Sequence, residues 1–314
     1  MNLRLAILAL TRNYRLSTTD HATLRRLAGL DAPPPALARH LQTGMAVLAA
    51  ALGGLGMLFW IAANWQSLSA AGRFVLLQTV LTVSLLGAWR RPAARVPLSL
   101  LGFITCGGLF AHFGQTYQTG ADPWQLFALW AVLTLPLCLG VRHAALWSAW
   151  AAVALTAALL AAAIVSGRTL FHVSLGSWVP ATALAFALRF APGAGVWPLR
   201  LCMIYATLGL VWVAVFSLFD DKRYGLYWFT LASVAVLAYA FSRRGWFDVF
   251  VASALGLGAN VLLVSGVAKL LLISNKDLET AAMLLTGCVA AGLLAGTVKL
   301  IVHLTRVHTG EQIA

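Results

Sequence analysis

From residue 44 onward, runs of about twenty apolar residues alternate with short polar breaks. A helix crossing a bilayer core about 30 Å thick needs roughly 20 mostly apolar residues. The pattern predicts ten spans, at 44–63, 73–89, 97–114, 124–141, 144–165, 171–190, 199–219, 225–242, 246–273 and 278–303. Continuous apolar runs of this length are about twice a barrel strand and lack its alternation, which excludes a β-barrel. Breaks such as Arg90–Arg95, Arg142-His143 and Arg243-Arg244 are so short that consecutive helices are expected to lie antiparallel and adjacent. The expected fold is all-α, a polytopic transmembrane helical bundle of about ten spans. Its organisation is read as an N-terminal region at 1–43, a first membrane half at 44–165 and a second at 166–314.

The first 43 residues break the pattern. Leu3–Leu10 is apolar but interrupted by Arg4, too short for a signal-peptide core, and no small-residue cleavage site follows before the first span. Ser17-Thr18-Thr19-Asp20 is a cluster of helix N-cap formers, and the stretch it opens ends near Gly29 and Pro33-Pro34-Pro35. Two small cytoplasmic or interfacial helices are expected, serving as a lid on the bundle or as a contact for a partner.

Composition agrees with the pattern: 61% of the residues are hydrophobic and 10% charged, against about 25% charged in soluble domains. The formal charge of +13 at first suggests an anionic partner such as nucleic acid. Sorting the basic residues by loop gives a different meaning. With the N-terminus in the cytoplasm, 16 of the 22 Lys and Arg fall on the cytoplasmic side, leaving Arg73, Arg168, Lys222, Arg223, Lys269 and Lys276 outside. Basic residues accumulate in cytoplasmic loops, so the charge reads as orientation, with no nucleic-acid partner. Both termini are expected in the cytoplasm, in a bacterial inner membrane.

Candidate chemistry is sparse. Cys106, Cys138, Cys202 and Cys288 sit singly in spans, with no C-x-x-C spacing and no Cys/His cluster, so neither a metal site nor a disulfide is expected. Gly53, Gly54, Gly56, Gly102, Gly107, Gly108, Gly292 and Gly296 mark close helix contacts. Lys269 and Lys299 lie near helix ends and can snorkel. Asp248 sits beside Arg243 and Arg244, and Asn260 alone reaches mid-helix, as inter-helix glue. The buried carboxylate or histidine chains of proton pumps and cation channels are missing.

Polar residues concentrate at one membrane face, where spans 1 and 3 end and spans 2 and 4 begin. They are Asn64, Trp65, Gln78, His112, Gln115, Tyr117, Gln118, Asp122 and Trp124. One reading is an interfacial aromatic belt with helix caps. The other is a pocket for a polar or amphipathic ligand, in which amides and an imidazole read hydroxyls and aromatic faces stack. The density of amides favours the pocket, since a belt requires aromatics and not three amides beside an imidazole.

These residues also carry a resemblance. A Gly-rich first helix ends in Ile61-Ala62-Ala63-Asn64-Trp65, and a third ends in Gly114-Gln115-Thr116-Tyr117-Gln118, followed by Asp122. The next helix reads Leu129-Trp130-Ala131-Val132-Leu133-Thr134-Leu135-Pro136. From Leu41 to about Val153 the chain resembles the DUF2157 family of uncharacterised bacterial multi-pass membrane proteins. Thr116 stands where family members often have Ile. The resemblance implies membership and topology and carries no activity.

Three functions remain open. The first is binding or transport of an amphipathic or lipid-linked ligand through the extracytoplasmic pocket. The second is an accessory or scaffold subunit for a membrane-protein partner. The third is an intramembrane enzyme using His112 and Asp122 as acid and base, although no nucleophile motif appears. His112 and His172 fall on one side and could in principle ligate a haem, but no cofactor is expected. The partners expected are membrane lipids and a ligand or protein of these kinds.

Overall fold

A computed structural model describes residues 7, 10–11, 13–14, 16–30, 37–64, 66–117, 120, 122–165, 170–220, 224–243, 245–274 and 279–310. Among them lie eleven helices and no strand. In chain order they are α1 (Thr18–Leu27), α2 (Leu37–Ala63), α3 (Ala70–Arg90), α4 (Arg95–Tyr117), α5 (Pro123–Val141) and α6 (Ala144–Val165). They continue as α7 (Leu170–Phe190), α8 (Trp197–Leu218), α9 (Tyr224–Ser242), α10 (Val249–Ser274) and α11 (Glu279–Gly310). Each expected span coincides with one of the helices α2 to α11. Nine helices among the described residues are long and apolar enough to cross a membrane, and in α7 the apolar described part is Trp178–Phe190. Large apolar side chains such as Leu52, Phe59, Val83, Trp89, Leu208 and Leu270 face outward, as a lipid-facing surface requires.

The helix ends follow from local chemistry. Ser17 caps α1, accepting from Asp20 N at 3.1 Å while its hydroxyl donates to the Asp20 carboxylate at 2.7 Å. None of the residues of α1 is buried. The other expected N-terminal helix, at Leu3–Leu10, lies largely outside the described residues. Ser69 caps α3 by accepting from Gly72 N. Proline opens α5 and stands in the first turn of α8, where a missing N–H costs nothing. Arg142 closes α5 in the left-handed region at φ 53°. The loop after α7 runs against this turn at Gly193, whose φ is +73° and where a Cβ would lie 2.2 Å from the Arg142 carbonyl oxygen. Only glycine fits there.

Two helices act as hubs. α8 packs against α6, α7, α9 and α10, and α4 packs against α2, α3, α5 and α6. α6 touches both hubs and joins the two groups. The main core surrounds α8 and includes Leu146, Trp147, Ala185, Met203, Leu210, Val213, Leu255 and Leu262. Indole N–H groups tie helices to carbonyls: Trp130 to Phe103 O at 3.0 Å, Trp150 to Ala131 O at 2.8 Å and Trp147 to Pro192 O at 3.1 Å. Pro136 interrupts the backbone ladder of α5 one turn beyond Ala131, in a stretch where carbonyls gain partners from neighbouring helices.

From α2 to α11, successive helices pack against each other with one exception. Among the described residues, α2 and α3 make no substantial contact, because both lie on α4. Gly108 of α4 admits Leu58 of α2, whose Cδ2 a Cβ there would meet at 2.3 Å. On its other flank α4 receives Leu81 and Leu85 of α3 against Gly102. The expectation that short loops force adjacency fails at this pair because α4 wedges between them.

The few charged groups are anchored at helix ends. Asp248, expected beside Arg243 and Arg244, instead pairs with Arg200, which reaches both carboxylate oxygens at 2.9 to 3.2 Å. The same carboxylate accepts from Phe250 N and Val251 N, capping α10. Arg243 donates to the Tyr239 hydroxyl. Lys269 donates to Leu218 O and lies over the Tyr224 ring. Asn260 accepts from Thr297 Oγ1 at 2.9 Å, joining α10 to α11.

Candidate functional site

The wedge leaves a cleft at the end of the bundle where α2 finishes and α3 begins. Its walls are Leu58, Ile61 and Ala62 of α2 and Leu77 of α3, and its floor is Gly108, Ala111, His112 and Gln115 of α4. The floor positions recur every three or four residues, so they form one stripe along α4. The cleft measures about 420 Å³, within the range of small-ligand sites. Its walls are apolar, and its two polar side chains, His112 and Gln115, come from the last two turns of α4.

His112 is 3% exposed and already engaged. Its Nε2 lies 3.2 Å from the carbonyl oxygen of Ala70, and its Nδ1 lies 3.4 Å from the Thr116 hydroxyl. A carbonyl only accepts, so the neutral ring carries its proton on Nε2 and accepts at Nδ1. The Phe74 ring packs on the imidazole at 4.4 Å between centroids. His112 thus ties α4 to the start of α3. Gln115, one turn on, is exposed, and its amide makes no hydrogen bond among the described residues.

A second cavity of about 400 Å³ opens on the other flank of α3. Phe74, Leu109, Phe110, Phe113, Leu126 and Leu129 line it, and Gln125 is its one polar residue. Tyr117 packs beside it, its ring tilted against Phe113 at 4.8 Å and Phe74 at 6.2 Å between centroids. Phe74 therefore touches both the imidazole and the edge of the second cavity.

The nine residues singled out in the sequence are divided by the fold. His112 and Gln115 come together in the cleft, and Tyr117 joins the aromatic group beside the second cavity. Asn64 donates through Nδ2 to Trp60 O at 2.9 Å, and its carbonyl accepts from Ser67, so it finishes α2. Asp122 is exposed at the N-cap of α5, and Trp124 is half-buried in the first turn of that helix. Gln78 is exposed and is not among the residues lining either cavity. Trp65 and Gln118 lie outside the described residues, as does the His172 side chain named for a haem. Among the described residues no three His, Cys, Asp or Glu side chains come together.

The sequence reading missed the apolar walls and the second cavity. Phe110 and Phe113 stand at i and i+3, and Gln125 and Leu129 at i and i+4, but such spacing looks the same on any lipid-facing helix. Arg73, assigned to an external loop, is instead 9% exposed in the first turn of α3 and donates to Leu68 O at 2.7 Å.

No curated protein and no solved structure is significantly similar to the chain. A family model does match, and it takes in α1, the α2 wall, the α4 floor and both cavities. Residues 9–147 match DUF2157, described as a predicted membrane protein, and the family resemblance is shown over that segment of this multi-pass membrane protein.

Proposed function

We propose that the protein binds an amphipathic, lipid-like molecule in the cleft over α4, as a ligand-handling or transport protein. One observation carries this reading: α2 and α3, successive in the chain, are held apart by α4, leaving an apolar trough that ends in two polar side chains. A hydrocarbon chain is suited to Leu58, Ile61 and Leu77, and a hydroxyl or amide headgroup to Gln115. The imidazole supplies shape and polarity to the cleft, because its nitrogens are already engaged by Ala70 and Thr116. The distribution of Lys and Arg supports placing this end on the extracytoplasmic face, with both termini in the cytoplasm of a bacterial inner-membrane protein. A C-terminal alkaline phosphatase fusion is then expected to be inactive, and an active one reverses the orientation.

The ligand is tested by purifying the full chain in mild detergent and analysing the extracted amphiphiles by mass spectrometry. The wild type should retain a bound amphiphile. Leu77→Trp, which fills the cleft, should lose it, and Gln115→Leu should weaken it roughly fivefold, the value of about one hydrogen bond. Equal retention by all three proteins overturns the proposal. That outcome leaves the scaffold reading, in which short loops present a rigid bundle to a membrane-protein partner.

A further inference from the structure

Among the nine described helices long and apolar enough to cross a membrane, α11 is the least enclosed. It packs on α10 through a stripe that includes Ala282, Thr297 and Ile301, with Thr297 bonded to Asn260. A different face of α11 carries a shallow, open groove lined, among the described residues, by Ala291, Leu294, Ala295, Val298 and Val302 together with Lys299, His303 and Arg306, all exposed. These positions recur every three or four residues and form a single stripe.

The order of chemistry along that stripe is directional. At a rise of about 1.5 Å per residue, Ala291 to Val298 covers about 10 Å of apolar surface and Lys299 to Arg306 about 10 Å of basic surface. One leaflet of a bilayer presents about 15 Å of hydrocarbon beneath its phosphates, the same sequence of apolar and anionic layers. The small side chains at Ala291 and Ala295 let a chain lie close to the helix. Lys299, His303 and Arg306 are all exposed, and α11 carries no acidic residue after Glu279. Two copies of the protein inserted in the same direction would bring Lys299 and Arg306 against their own counterparts, so like charges oppose pairing through this face.

We propose that this groove is a binding site for one anionic phospholipid, its acyl chain against Ala291–Val298 and its phosphate held by Lys299, His303 and Arg306. Juxtamembrane basic clusters attract anionic headgroups, and here the cluster is joined to a groove for the chain. The site is separate from the cleft over α4.

Native mass spectrometry of the full chain in detergent, titrated with phosphatidylglycerol or phosphatidylcholine of identical acyl chains, tests the proposal. Wild type should retain phosphatidylglycerol on the order of tenfold better than phosphatidylcholine. The triple variant Lys299→Gln/His303→Gln/Arg306→Gln should lose that preference. The control Arg90→Gln/Arg91→Gln, with the same two positive charges removed elsewhere, and the cleft variant Leu77→Trp should both keep it. Ala295→Trp should lower retention of phosphatidylglycerol by filling the groove. Equal retention of the two lipids by wild type overturns the proposal, as does an unchanged preference in the triple variant. A dimer that Ala295→Trp dissociates, without any lipid preference, would assign the face to a second copy instead.

Discussion

The Nε2 atom of His112 lies 3.2 Å from the carbonyl oxygen of Ala70, so the last turns of α4 hold the first residue of α3. A polar residue near the end of a span has here become a joint between helices. Replacing it by Ala removes the bond and the ring that packs on Phe74. The expected loss is about 1–3 kcal/mol, read as a lower Tm for His112→Ala in detergent. An unchanged Tm would mean that the imidazole is not part of the joint.

Trp130 fits against a bare backbone. A Cβ at Gly107 would lie 2.4 Å from the indole, whose N–H donates to Phe103 O at 3.0 Å. Gly107→Ala should cost about 1–3 kcal/mol through overpacking. Trp130→Leu in that background should recover part of the loss, because the smaller side chain gives back the space. Additive losses in the double variant would show that the two residues do not share that space.

His143 lies in the turn between α5 and α6, where its Nδ1 accepts from Ala145 N at 3.2 Å. Burial pushes its pKa down from the ordinary 6.5. A histidine depressed in the fold contributes stability that is complete above its unfolded pKa and lost as pH falls through the folded value. Thermal stability should therefore decline as pH is lowered below about 6.5. His143→Asn keeps an acceptor without a titrating group and should flatten that decline. A wild-type profile that the substitution leaves unaltered would place the pH dependence elsewhere.

Asp248 fastens the start of α10 to the start of α8 through Arg200, and Trp197 and Phe250 flank the guanidinium at 5.1 and 5.3 Å. Asp248→Ala strips the partner from a partly buried cation and uncaps α10. A loss of about 2–4 kcal/mol is expected. Arg200→Met/Asp248→Leu should restore part of it by removing both charges. If the double variant were no more stable than Asp248→Ala, the unpaired charge would not be the source of the cost.

The ten helices were legible in the sequence because the bilayer imposes a length and a composition on every span. Asn260 could be assigned to inter-helix bonding for the same reason, since a lone amide among apolar residues seeks a partner on the next helix. Helix adjacency was less legible. Loop length predicts contact between α2 and α3, while small residues at Gly102 and Gly108 draw both helices onto α4 instead. That difference decides the cleft, because its apolar walls have the same composition as any lipid-facing surface. The polar residues were found but not their allegiance. Asn64 and Asp122 serve helix ends, and the partner of Asp248 stands 48 residues away at Arg200.

The wedge formed by α4 also sets a timetable for biogenesis. Leaving the ribosome, α2 and α3 come out as a hairpin whose two arms have little surface to offer each other. Their mutual partner emerges only with residues 95–117, so the hairpin waits in the membrane, splayed and exposed to whatever insertion machinery or lipid shields it. Once α4 enters, one helix captures both arms together. A chain halted at Arg91 should remain as accessible to protease and to quality control as an unassembled segment, and extension to Tyr117 should convert it to a protected three-helix unit.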